Sequence, residues 1–188
     1  MFVFINPGHA LGGDPDPGCV NEALGLRECD IAMTVGSLMG NYLQQAGCKV
    51  ELLQSHNLGG ESPEYPCVTD EANRLLSDIF ISIHVNAGGG RGPETYCYWQ
   101  ASEAGRLAVF LQRQLIMSLS HIDHGYCDRG IKENKSFCVL RKTLMPAVLV
   151  ELGFIDSADV ALLKNNQDDM ARALARGVTD YWQTLAIS

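Results

Sequence analysis

The sequence contains no basic run, no Cys-x-x-Cys pair, no low-complexity tract and no apolar stretch long enough to cross a bilayer. Each absence removes a class of protein. Acidic residues outnumber basic ones, 22 to 14, for a formal charge of −8. Nothing here releases counterions from a phosphate backbone, so nucleic acid is not an expected partner. The same balance opposes loose adhesion to anionic surfaces, and an anionic polymer would have to be held by local contacts. A spanning helix needs about 18 or more apolar residues in succession, so membrane insertion is not expected either. Cysteines number seven, and an odd count without close pairs fits reduced thiols better than a secreted disulfide framework. Met1 leads directly into Phe2-Val3-Phe4-Ile5 with no basic stretch or small-residue cleavage site, so no signal peptide is read.

What is present is an ordinary globular composition, 46% hydrophobic over 188 residues, enough for one domain with a sizeable core. With no linker or repeat, residues 1–188 read as a single domain. Short apolar runs bounded by Gly, Pro, Asn or Asp predict strands at Phe2–Ile5, Cys48–Leu53, Ile79–Val85, Thr95–Trp99, Ser136–Leu140 and Ala147–Glu151. Amphipathic segments predict helices at Leu26–Ala46 (closed by Gly47), Thr69–Leu76, from Ser102 through Leu119, Ser157–Lys164 and Gln167–Leu185. The alternation implies an α/β three-layer sandwich: a mostly parallel twisted sheet of about six strands flanked by about five helices.

In such folds ligands gather beyond the carboxyl ends of strands. Three polar residues fall there: His9 after the first strand, His84 closing Ile79–His84, and Glu151 closing Ala147–Glu151. A carboxylate ending a buried strand is costly unless something pairs with it. Glu28 joins them by helical phase, because positions 28, 31, 35, 39 and 42 share one face and the other four are Ile31, Val35, Met39 and Tyr42. An acid opening a core stripe needs a metal or a cation, or it complements the helix dipole by about 0.3–1 kcal/mol. Two histidines and one carboxylate with an open position form a catalytic zinc set, and a second carboxylate nearby is suited to proton transfer. Spacing alone leaves the metal and structural readings both open.

At these residues the sequence resembles a family. Asn6-Pro7-Gly8-His9, Asp16-Pro17-Gly18, Leu26-Arg27-Glu28, Ser82-Ile83-His84-Val85-Asn86-Ala87 and Val150-Glu151-Leu152-Gly153-Phe154 are similar, in order, to the motifs of zinc-dependent N-acetylmuramoyl-L-alanine amidases of the sporulation, cell-division and phage-endolysin type. The match continues through Asp128–Lys132, Val139–Thr143 and Met145–Leu149. The resemblance implies one zinc ion on His9, Glu28 and His84, Glu151 as catalytic acid/base, and peptidoglycan as substrate, cut between the lactyl group of N-acetylmuramic acid and L-alanine. Asn86 is expected to help at the developing oxyanion. Arg129, Lys132 and Arg141 either contact acidic groups of the substrate or form surface ion pairs, and both readings stay open. Two segments depart from the family pattern, the long loop His9–Gly18 and the region Ser55–Pro66, and both are expected to alter the rim of the groove.

The remaining candidates have plainer readings. Glu22 precedes the same helix as Glu28 but reads as a solvated loop acid. His121 and His124 sit at a helix end, and His56 in a surface loop. Gly88–Gly92 lacks the Lys and Ser/Thr of a phosphate loop and reads as a mobile loop beside the His84 strand end. Cys97, Cys127 and Cys138 lie in no nucleophile motif. The expectation is a monomeric wall hydrolase that reaches the wall either from the cytoplasm, as a holin-released endolysin, or as the trimmed domain of an exported enzyme; any activator is unspecified. Alternatives are a peptidoglycan-binding or regulatory module on the same fold, and a zinc peptidase acting on ordinary peptides.

Overall fold

The computed structural model describes residues 1–185. Six strands form one sheet: β1 (Phe2–Pro7), β4 (Lys49–Leu52), β5 (Ile79–Asn86), β6 (Glu94–Cys97), β7 (Ile131–Glu133) and β8 (Ala147–Phe154). A two-residue ladder of β2 (Val20–Asn21) and β3 (Leu26–Arg27) stands apart. The sheet order is β4-β1-β5-β8-β6-β7, parallel throughout except between β8 and β6. Six helices cover it: α1 (Glu28–Gln45), α2 (Val68–Arg74), α3 (Glu103–Leu119), α4 (Cys138–Lys142), α5 (Val160–Asn165) and α6 (Gln167–Leu185). The expected mostly parallel sandwich is therefore present, with six helices in place of the expected five or so.

Alternation along the strands sorts the core into two layers. Val3, Ile5, Ile81, Ile83, Val148 and Val150 face α1, α3 and α6. Phe4, Phe80, Ala147 and Leu149 face the shorter α2 and α4 through Val68, Ala72, Val139 and Leu140. Among the described residues no helix is long and apolar enough to cross a membrane, and all seven cysteines are unpaired.

The expected strand at Ser136–Leu140 is instead a turn followed by α4. The Asn134 side chain accepts from Ser136 N (2.9 Å), Ser136 Oγ (2.7 Å) and Phe137 N (3.1 Å), closing a tight turn that launches the helix. The strand lies just upstream, as β7. Helix α1 begins two residues later than expected. The amides of Glu28 and Cys29 donate to the loop carbonyls of Cys19 (2.8 Å) and Pro17 (3.1 Å), so the loop satisfies the first turn and Leu26–Arg27 stay extended.

The glycine-rich segment 88–92 is anchored rather than mobile. Asp156 accepts from Gly88 N (2.8 Å) and Gly89 N (3.0 Å). The fully buried Asp159 accepts from Gly92 N (2.7 Å), Phe154 N (3.2 Å) and Arg91 Nε (3.2 Å), while Arg91 also pairs with Asp123. Removing one partner of a buried pair leaves the others uncompensated and costs about 3–5 kcal/mol. Asp159→Ala is expected to lose stability near the lower end of that range in urea denaturation, because Arg91 retains Asp123 and partial exposure. A loss below about 1 kcal/mol would mean that the ties carry no more than a surface ion pair.

Candidate metal centre and active site

The ladder places the functional side chains in a row. Across the sheet, His84 of β5 is in register with Glu151 of β8, and Glu151 with Glu94 of β6. Residues directly opposite in a sheet point to the same face, so His84, Glu151 and Glu94 stand side by side. His9 arrives from the loop after β1, with a positive φ of 68°. Glu28 enters from the first residue of α1 and is 2% exposed.

His9, Glu28 and His84 each offer a donor atom, all within 4.8 Å of one another, and no other such trio of His, Cys, Asp or Glu occurs among the described residues. His9 Nε2 and His84 Nδ1 both lie 2.9 Å from Glu28 Oε1. The other nitrogen of His9, Nδ1, is 2.9 Å from Asp16 Oδ2, and such an outer carboxylate orients an imidazole that binds through its second nitrogen. Glu28 Oε1 also accepts from Val85 N (2.9 Å) and Oε2 from Cys19 N (2.8 Å).

Two glycines leave the space this convergence needs. A Cβ on Gly8 would lie 2.4 Å from His84 Cε1; one on Gly18, whose φ is 69°, would lie 2.6 Å from both Glu28 Oε2 and His9 Cδ2. Two imidazole nitrogens and a carboxylate oxygen in a cradle kept clear of side chains suit zinc, whose ligands at about 2.0–2.2 Å lie roughly 3–3.5 Å from one another in a tetrahedron. The residues present fit the group.

Protonation follows from the same contacts. Burial pulls the His9 imidazole down, but the Glu28 carboxylate and then Asp16 outweigh it, raising its pKa to about 9. Burial pushes Glu28 up, but hydrogen bonds and charge from His84 and His9 prevail and hold it well below the usual carboxylate range. Glu151 moves the other way. Burial pushes it up to about 7, His84 opposes, and the negative charges of Glu28 and Glu94 add to the rise. Its Oε2 is shut off from solvent and has no hydrogen-bond partner among the described residues.

Beyond Glu151 lies a charged cluster. Glu94, 2% exposed, accepts on Oε1 from Asn86 Nδ2 (3.0 Å) and Tyr96 OH (2.7 Å), and on Oε2 from Arg129 Nε (2.7 Å) and Lys132 Nζ. Asn86 is committed at both ends, since its Oδ1 accepts from Ala87 N (2.9 Å). Arg141 is not brought to the site. It is exposed on α4 and lines a pocket with Pro146 and Ala147, at the opposite end of β8 from Glu151. Glu94 and Asp16 were given no role from sequence. Asp16 belongs to the Asp16-Pro17-Gly18 motif; an acid directly before an alternating strand, as in Pro93-Glu94-Thr95-Tyr96, is the only signal for Glu94.

The other candidates lie elsewhere. Glu22, His121 and His124 are exposed, and His56 stacks edge-on against Tyr65 at 4.2 Å. The two divergent loops meet around a pocket of about 290 Å³ lined by Leu11, Asp14, Gln54, His56 and Tyr65 among others. Burial pushes the thiol of Cys19, the cysteine whose amide donates to Glu28, up to about 12, with Glu28 adding to the rise. That thiol stays protonated and is a poor nucleophile.

Fold and site together define a class: an α/β sandwich with a candidate metal centre at the carboxyl ends of its parallel strands. A model of the N-acetylmuramoyl-L-alanine amidase family matches residues 3–180, and the chain belongs to that family. It is 35% identical over 180 residues to the sporulation-specific N-acetylmuramoyl-L-alanine amidase of Bacillus subtilis, covering 93% of this chain and 64% of that protein. It is 32% identical over 187 residues to the endolysin of Bacillus phage SPP1, covering 95% and 65%. The chain thus spans just under two thirds of either relative. Among solved structures, an N-acetylmuramoyl-L-alanine amidase of Nostoc punctiforme superposes with a TM-score of 0.80 at 29% identity, covering 97% of each chain.

Proposed function

We propose that this chain, as one catalytic domain over residues 1–188, hydrolyses the amide between the lactyl carbonyl of N-acetylmuramic acid and L-alanine in peptidoglycan, using one zinc ion held by His9, Glu28 and His84. The observation that carries the reading is the placement of Glu151 in register with His84, with a carboxylate oxygen that no protein group claims. Zinc in that cradle supplies Lewis acidity and makes a water easier to deprotonate near neutral pH.

The chain's own residues do the rest. Asp16 holds Nδ1 of His9, so that Nε2 faces the centre. Glu151 takes a proton from the attacking water and returns it to the departing alanine nitrogen, the two transfers a carboxyl group beside the centre can make. Asn86 acts through Glu94, to which its amide is bonded. The formal charge of −8 agrees with recognition through local contacts, and the place of action is the cell wall.

The test is mass spectrometry of purified peptidoglycan incubated with the zinc-loaded protein and with a chelated control. Stem peptides beginning at L-alanine are expected with zinc and absent after chelation. Zinc bound at this centre without release of peptide would overturn the catalytic reading and favour a wall-binding module.

A further inference from the structure

We propose that Arg129 and Lys132, held in place by buried Glu94, form a carboxylate-binding subsite for the peptide on the leaving side of the scissile amide. The inference rests on the catalytic reading above for its direction and on the Glu94 cluster for its chemistry.

Direction comes from strand order. The rim runs His9, His84, Glu151, Glu94, Lys132, following β1-β5-β8-β6-β7. Glu151 hands its proton to the leaving nitrogen, so the departing peptide lies on Glu151's side of the metal centre. The next positions along the rim are Glu94 and then Arg129 and Lys132. Neighbouring strands are about 4.8 Å apart, which puts the cations roughly one to two strand spacings beyond Glu151. A carboxylate one residue past the alanine reaches that far.

Chemistry comes from the hydrogen bonds. Glu94 has both oxygens doubly occupied, so it offers nothing to a substrate and serves as a positioning residue. Its single negative charge faces two cations, so these three groups together sum to one positive charge on a chain of formal charge −8. Arg129 spends only Nε on Glu94, and its two outer nitrogens have no acceptor among the described residues. Its guanidinium lies 4.8 Å from the Phe154 ring centroid, which fixes the plane of the fork. The side chains of Arg129 and Lys132 are 34% and 37% exposed. A purely structural ion pair needs one cation for one buried acid; this cluster has two, with the outer nitrogens of one unspent.

The experiment compares N-acetylmuramoyl-L-alanyl-D-glutamyl peptides whose glutamyl α-carboxyl is free or converted to the carboxamide. The wild-type chain is expected to prefer the free acid by about tenfold or more in kcat/KM, the worth of one charge-assisted contact. Arg129→Gln should bring that ratio close to one, mainly through KM. Arg129→Lys should restore part of it, and Glu94→Gln should weaken it with the cations intact. Equal losses on both substrates in Arg129→Gln, or no preference in the wild type, would overturn the subsite while leaving the amidase reading in place. Calorimetric titration with L-alanyl-D-glutamate separates the converse case. Arg129-dependent binding without cleavage of either substrate would keep the subsite and remove the catalysis, whereas binding that ignores Arg129 would remove the subsite.

Discussion

Replacing Glu151 with glutamine is expected to lower kcat by about 10²–10⁴-fold, the usual worth of a positioned acid/base, while metal content stays stoichiometric. The amide keeps the volume of the carboxyl group but can neither accept nor return a proton. Since Glu151 is not among the three converging donors, its loss should leave the metal in place. Metal analysis beside the rate assay decides the matter, and zinc lost together with activity would make Glu151 a ligand instead. The same variant has a signature in stability. In the metal-free chain Glu151 titrates near 7, against an ordinary value of 4.5, chiefly because it is buried. A folded value above the unfolded one means that the protonated acid favours folding: the contribution is fully present below pH 4.5 and is lost as the pH rises through about 7. His9 and Glu28 are common to both proteins, so their titrations largely cancel in the difference. From pH 5 to pH 8 the metal-free wild type should therefore lose about 2 kcal/mol relative to Glu151→Gln, reckoned at about 1.4 kcal/mol per pH unit and reduced for partial exposure. A pH-independent difference in urea denaturation would mean that Glu151 is an ordinary carboxylate.

The parts of this site legible in the sequence were those governed by local periodicity. His84 and Glu151 close apolar runs, and a polar residue ending a buried strand stands out from the order of the amino acids alone. Glu28 was found because a helix repeats every 3.6 residues and its phase placed the acid on the core stripe. What escaped depends on partners distant in sequence. Glu94 is 57 positions from Glu151, its opposite number in the ladder, and 38 from Lys132. No periodicity announces such a pairing, and the expected strand began at Thr95, one residue too late to include it. The segment Ser136–Leu140 reads as a strand because five residues, the last four of them apolar, satisfy a strand and a single helical turn alike, and the Asn134 side chain decides between them. The glycine-rich loop looked mobile for a related reason. Its anchors, Asp156 and Asp159, come from more than 60 residues away.

Glu28 and Asp16 separate holding the metal from orienting a ligand. Glu28 Oε1 is the meeting point of His9 Nε2, His84 Nδ1 and Val85 N, each at 2.9 Å. Glu28→Ala is expected to abolish stoichiometric zinc binding and, with it, all measurable release of stem peptides. Two imidazoles alone are one donor short of the three protein ligands that a catalytic zinc site uses. The metal-free fold should also weaken, because the amides of Val85 and Cys19 lose their acceptor, at about 1–3 kcal/mol for each buried group left unsatisfied. Asp16→Asn predicts a graded result. The ligand set is intact and only the grip on His9 Nδ1 changes, so zinc affinity should fall by about 10–100-fold and activity should return when zinc is supplied in excess. Two measurements suffice, a competition titration against a chelator of known affinity and the peptide-release assay at rising zinc. Recovery in Asp16→Asn without recovery in Glu28→Ala is the expected pattern. If Glu28→Ala recovered as well, the acid that opens α1 would serve packing and the helix dipole alone, and the third ligand would have to be sought elsewhere.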